Sequence, residues 1–71
     1  MTHYLINVFY SEEDSEFVAD IPDLEACSAL GRTPEEAVVE VERAREAWLA
    51  AAREAGREIP KARHRPAVHA G

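Results

Sequence analysis

The sequence predicts an α+β domain: an antiparallel sheet of three to four strands with one long helix packed on one face, in the order β-β-β-α with a short C-terminal strand as the fourth. Three observations predict it. Residues 3–10 and 17–21 are runs of strand-forming residues, and residues 25–30 a short run of small side chains, separated by polar or proline-containing breaks. A dense helix start follows at Thr33-Pro34-Glu35-Glu36. After it, Ala37, Val38, Val41, Ala44, Trp48, Leu49 and Ala52 recur at the three-and-four spacing of one apolar stripe.

The first strand, residues 3–10, is apolar on both faces. Tyr4, Ile6, Val8 and Tyr10 share one side, and Leu5 and Phe9 the other. A strand covered on one side only would alternate more cleanly. Either the C-terminal tail shields the second face, or that face meets another chain. Residues 11–16 are polar and acidic and form a hairpin connection. They contain no glycine, so a loop longer than a two-residue primed turn is expected. The second strand, residues 17–21, puts Phe17, Ala19 and Ile21 on one face and Val18 and Asp20 on the other. Pro22 ends it by removing a ladder donor, and Pro22-Asp23 turns the chain. The third strand, residues 25–30, has small side chains that allow a helix to pack close.

Thr33 caps the helix, Pro34 occupies its first position, and Glu36 completes a capping box. The helix runs over residues 34–55, and Gly56 is the expected left-handed cap. Ile59-Pro60 is expected to anchor back onto the core, and Ala67-Val68-His69 to add a short edge strand. The domain therefore spans residues 1–60, with a basic tail at 61–71 whose last residues are expected to be poorly ordered.

A chain of 71 residues makes one small domain, and a domain of that size buries only ~60% of its unfolded surface. Cys27 is the single cysteine, so an internal disulfide is excluded, and the three histidines show no zinc-type spacing with it. Association is the remaining source of stability. A homo-oligomer or a stable hetero-complex is expected, the homo-oligomer most simply a two-fold dimer with Leu5 and Phe9 at or near the contact. No apolar run approaches the ~20 residues of a membrane span, and Met1-Thr2-His3-Tyr4 lacks the basic start and apolar run of a signal peptide. A cytoplasmic protein is expected. The formal net charge is −6, and residues 1–60 carry all 14 acids against five arginines, a charge of −9. Such a body repels nucleic acid and attracts basic partners.

No constellation supports an enzyme, a metal or a cofactor. Cys27 lies between Ala26 and Ser28 on the third strand and reads as a buried structural thiol. His3, His64 and His69 sit near the termini. A paired-carboxylate site could draw on Asp14, Asp20 and Asp23, and a small nuclease on Asp20 or Asp23 with a metal, but these acids fall on turns and an exposed strand face, where they are ordinarily solvated. Trp48 is expected in the core between helix and sheet.

Phe17-Val18-Ala19-Asp20-Ile21-Pro22-Asp23-Leu24, then Cys27, then Gly31-Arg32-Thr33-Pro34-Glu35-Glu36-Ala37, resembles the HicB antitoxin family. In that family an aromatic-led strand runs into Pro-Asp-Leu-Pro-Gly-Cys, then Gly-Asp-Thr-x-Glu-Glu-Ala and a long helix. Gly56-Arg57-Glu58-Ile59-Pro60 is similar to the family's Gly-x-x-Ile-Pro exit. The resemblance covers residues from about Tyr4 to Pro60. Glu25 and Ala26 stand where the family has Pro-Gly, and Arg32 where it has an acid. The resemblance implies a partial ribonuclease H-like fold, without a matching catalytic carboxylate set. It also implies that the chain binds and neutralises a small basic HicA-type RNA-cleaving toxin. Family members often add a C-terminal DNA-binding domain. The chain ends before one would fit, so direct DNA binding is not expected. An orphan oligomeric binding module is the alternative.

Overall fold

A computed structural model describes residues 3–63. The order is β1 (Asn7–Ser11), β2 (Glu16–Asp20), β3 (Ser28–Gly31) and α1 (Pro34–Glu54). The strands form one antiparallel sheet in the order β1-β2-β3. The predicted β-β-β-α fold is therefore the observed one. The strand suggested at 67–69 lies outside the described residues.

Register determines which residues share a face. Val8 pairs with Ala19 and Ala19 with Ala29. Phe9 pairs with Val18 and Val18 with Leu30. Ala19 is fully buried, so the Val8–Ala19–Ala29 row faces the helix and the Phe9–Val18–Leu30 row faces away. The helix lies chiefly over β3 and β2, and β1 reaches past it.

Both ends of α1 are closed by side-chain and backbone bonds. The Glu36 amide donates to Thr33 Oγ1 at 3.0 Å. The Glu36 carboxylate reaches back one residue further than a standard capping box, accepting from the Arg32 amide at 3.4 Å. At the other end Arg57 N donates to Ala52 O and Gly56 N to Arg53 O, with Gly56 at φ +69°. These two bonds make a Schellman motif.

Two strands start later than the sequence predicts. Pairing begins at Asn7, not His3, because Tyr4 and Ile6 are committed to the core. Tyr4 is buried, Ile6 packs against the core, and the Tyr4 hydroxyl donates to the Pro60 carbonyl. Residues 25–27 are not strand either. Leu24 N donates to Ile21 O, Cys27 N to Leu24 O, and Ile21 N to Cys27 O. These bonds close a compact loop that tucks Leu24 and Cys27 into the core beside Ile21. Ala26 adopts φ +58° to make the turn.

The core consists of Tyr4, Ala19, Ile21, Leu24, Cys27, Ala37, Val41 and Leu49, with Ala52 also buried. Ile59 and Ala62 pack on it, so the segment after the helix returns to the body as expected. The Arg63 amide completes the return by donating to Asp23 Oδ2 at 3.2 Å.

Candidate partner-binding surface

The outer face of the sheet carries an uncovered apolar row. Phe9 is 52% exposed and Leu30 45%, with half-buried Val18 joining them in register. Asn7, Asp20 and Ser28 form the polar row on one side, and Ser11 and Glu16 the row on the other. On the helix side of β1, Tyr10 is also 52% exposed, its ring edge-on to Phe17 at 5.2 Å. Val8 shares that side and is exposed too. β1 thus offers apolar side chains on both faces and, among the described residues, is an edge of the sheet. Leu5 precedes the strand and is half-buried. Sequence alternation alone separated Phe9 from the helix side. Val18 and Leu30 were missed as its neighbours, because their union in one row depends on register.

The rest of the surface is acidic. All 14 acids lie among the described residues, and none is buried. Two ion pairs are formed there, Arg43–Glu40 at 3.3 Å and Arg45–Glu46 at 3.5 Å. Both lie on the helix surface, where such pairs contribute little. Glu12, Glu13 and Asp14 crowd the hairpin tip, which Ser11 stabilises by donating to Asp14 Oδ2 and accepting from the Asp14 amide.

The buried titratable groups are structural. Cys27 is 3% exposed. Its burial, helped by Asp20 and opposed by Arg45, pushes the thiol pKa up and keeps it protonated and unreactive. Burial likewise raises the Tyr4 phenol, with Asp23 adding to the effect and Arg53 opposing it. Trp48 corrects the sequence reading. It is half-buried at the flank of the helix rather than sandwiched under it. Its Nε1 donates to the Glu25 carbonyl at 2.9 Å, and the Arg57 guanidinium lies 5.7 Å from its ring centroid. The polar end of the indole draws the side chain to that rim.

Asp14 belongs to the hairpin tip, Asp20 to the outer row of β2, and Asp23 to the loop that holds Arg63. No group of three or more His, Cys, Asp or Glu side chains among the described residues could hold a metal ion. His64 and His69 lie outside those residues. A groove beside the helix, lined by His3, Glu42, Arg45, Glu46, Leu49, Arg53 and Ile59, mixes both signs of charge and converges on no single group. No helix among the described residues is long and apolar enough to cross a membrane. Comparison of the chain with protein-family models, with curated proteins and with solved structures finds no match.

Proposed function

We propose that this chain is an antitoxin-like protein that binds and neutralises a small, basic, RNA-cleaving toxin of the HicA type in the cytoplasm. The observation that carries the reading is the acidic exterior: 14 acids, all exposed or half-exposed, against five arginines in residues 1–60. A ribonuclease presents basic groups to its RNA. An acidic surface of this density attracts the same groups and competes with the RNA for them. The motif resemblance from Phe17 to Ala37 supports the same partner. The chain acts by occupying its partner and not by catalysis, and its charge disfavours direct DNA binding. It self-associates as a homo-oligomer, with Phe9 and Leu5 at or near the contact.

A second reading, an orphan oligomeric module without a toxin, is favoured by the exposed apolar β1, which needs a companion whether or not a toxin exists. Co-expression with the adjacent open reading frame tests the choice. A basic product that co-purifies, and whose RNA cleavage the chain suppresses, is expected. A neighbour that neither binds nor cleaves RNA would leave the orphan module. Metal-dependent RNA cleavage by the purified chain alone would overturn both.

A further inference from the structure

We infer that β1 is a self-complementary edge, and that two copies of the chain pair their β1 strands antiparallel about Phe9 to form one continuous six-stranded sheet. This deepens the self-association proposed above and is independent of any toxin.

Edge strands of soluble proteins are normally guarded by charges, proline or a bulge. β1, Asn-Val-Phe-Tyr-Ser, has none of these, although 31% of the chain is charged. It runs in unbroken register with β2 from Asn7 to Ser11. Its side chains are apolar on both faces, so whatever covers it must also be apolar on both faces. β1 meets that requirement itself. Antiparallel pairing about Phe9 sets Phe9 against its own copy, Val8 against Tyr10, and Asn7 against Ser11. Every apolar residue meets an apolar one, and the two polar ends meet each other. The resulting contact is isologous and closes at two copies.

Charge selects both the occupant and the direction. A basic partner would be drawn to acids, and residues 3–11 contain none. The acids begin immediately afterwards at Glu12, Glu13 and Asp14. Parallel pairing would set these two acidic hairpins side by side. Antiparallel pairing sends them to opposite ends, each beside the acid-free segment ahead of the partner's strand. The other edge, β3, is a poorer candidate, because it is shorter and ends at Gly31 under the start of the helix. The pairing leaves the acidic helix surface and loops outside, free for a basic partner.

Phe9 is half exposed, so its replacement tests the contact without removing the core. Sedimentation across a concentration series should give a two-chain mass for the native protein. Phe9→Lys and Phe9→Glu should each give a single-chain mass, and mixing them in equal amounts should restore the two-chain mass through a Lys–Glu cross-strand pair. In a Cys27→Ala background, Phe9→Cys should form a disulfide-linked pair under mild oxidation, because directly opposed residues lie near disulfide distance. Val39→Cys, exposed on the helix, should not. A dimer that survives both charge variants, with no Phe9→Cys cross-link, would overturn the β1 pairing and leave self-association through another face. A native chain that stays monomeric would overturn both and assign the strand to another segment or a different partner.

Discussion

The indole nitrogen of Trp48 donates to the carbonyl of Glu25 across 23 residues of sequence, at 2.9 Å. One side chain thereby ties the middle of the helix to the loop between β2 and β3. That loop contributes Leu24 and Cys27 to the core, so the bond holds in place residues that the indole itself does not cover. Replacing Trp48 with Phe keeps most of the apolar contact and removes the donor. It should cost about 1 kcal/mol, the net worth of one hydrogen bond. Trp48→Ala should cost about half of the ~3–5 kcal/mol of a fully buried tryptophan, because this one is half-buried. Denaturant unfolding of the two variants checks the order. Equal losses would show that the bond adds nothing.

The same loop contains a residue in a conformation that disfavours it. Ala26 stands at φ +58°, the left-handed region, which costs a non-glycine residue roughly 1–2 kcal/mol. In the HicB motif that the loop resembles, glycine stands at this place. Ala26→Gly should therefore raise stability by up to about 1 kcal/mol, part of the gain being lost to the freer unfolded chain. A lowered Tm in Ala26→Gly would refute the account of strain.

Much of the helix was legible, because its signals are local. Thr33, Pro34 and Glu36 mark the start, Gly56 marks the end, and the stripe from Ala37 to Ala52 names the buried face. The strand starts were not. Tyr4 and Ile6 have strand-forming side chains, but the phenol goes to Pro60 and Ile6 to the core, and neither partner is visible from neighbouring residues. Residues 25–27 misled for the same reason, since the backbone bond from Ile21 to Cys27 exists only once the loop closes. At the surface, Phe9 was legible by alternation. Its companions Val18 and Leu30 required the register of three strands.

Gly31, the last residue of β3, is a contact point between the sheet and the helix start. A Cβ there would stand 2.4 Å from the Ala37 amide nitrogen and 2.8 Å from its Cα. These are backbone atoms of the capped first turn and have no rotamer to give way. Gly31→Ala should force the helix start away from β3 and cost about 1–3 kcal/mol, as overpacking does. Thr33→Ala, which removes the cap from the same turn without crowding it, should cost about 1 kcal/mol. Thermal unfolding separates the two. A neutral Gly31→Ala would mean that the helix start slides freely on the sheet.

Cys27 and Tyr4 predict a weakness at high pH. Both pKa values are raised in the folded chain, from ordinary values of 9.0 and 10.0, chiefly by burial. Each group therefore keeps its proton longer when folded than when unfolded. The stability tied to that difference is fully present below the unfolded values and is lost as pH rises through the folded ones. Unfolding free energy should show no contribution from these two groups below about pH 8, begin to fall near pH 9 as the unfolded thiol ionises, and fall further once the unfolded phenol does. Cys27→Ala should remove the earlier part of the decline and Tyr4→Phe the later part, whatever each does to stability at neutral pH. A slope unchanged in both variants would locate the alkaline sensitivity elsewhere.

The acidic surface predicts how a basic partner arrives. The approach of two oppositely charged surfaces is accelerated over distances comparable to the screening length, about 10 Å at 0.1 M salt and about 3 Å at 1 M. The association rate with the proposed toxin should therefore fall steeply as salt rises, while the dissociation rate changes less. Glu12, Glu13 and Asp14 concentrate three acids at one exposed tip, clear of the core and of both helix caps. Neutralising them together, as Glu12→Gln, Glu13→Gln and Asp14→Asn in one chain, would disturb the Asp14–Ser11 bond at most. If this tip steers the encounter, the triple substitution should slow association at low salt and leave the high-salt rate nearly unchanged. Stopped-flow mixing at two salt concentrations reads both effects. A rate independent of salt would remove electrostatic attraction as the basis of partner choice. A salt-dependent rate that the triple substitution does not alter would move the steering charge to the acids of the helix.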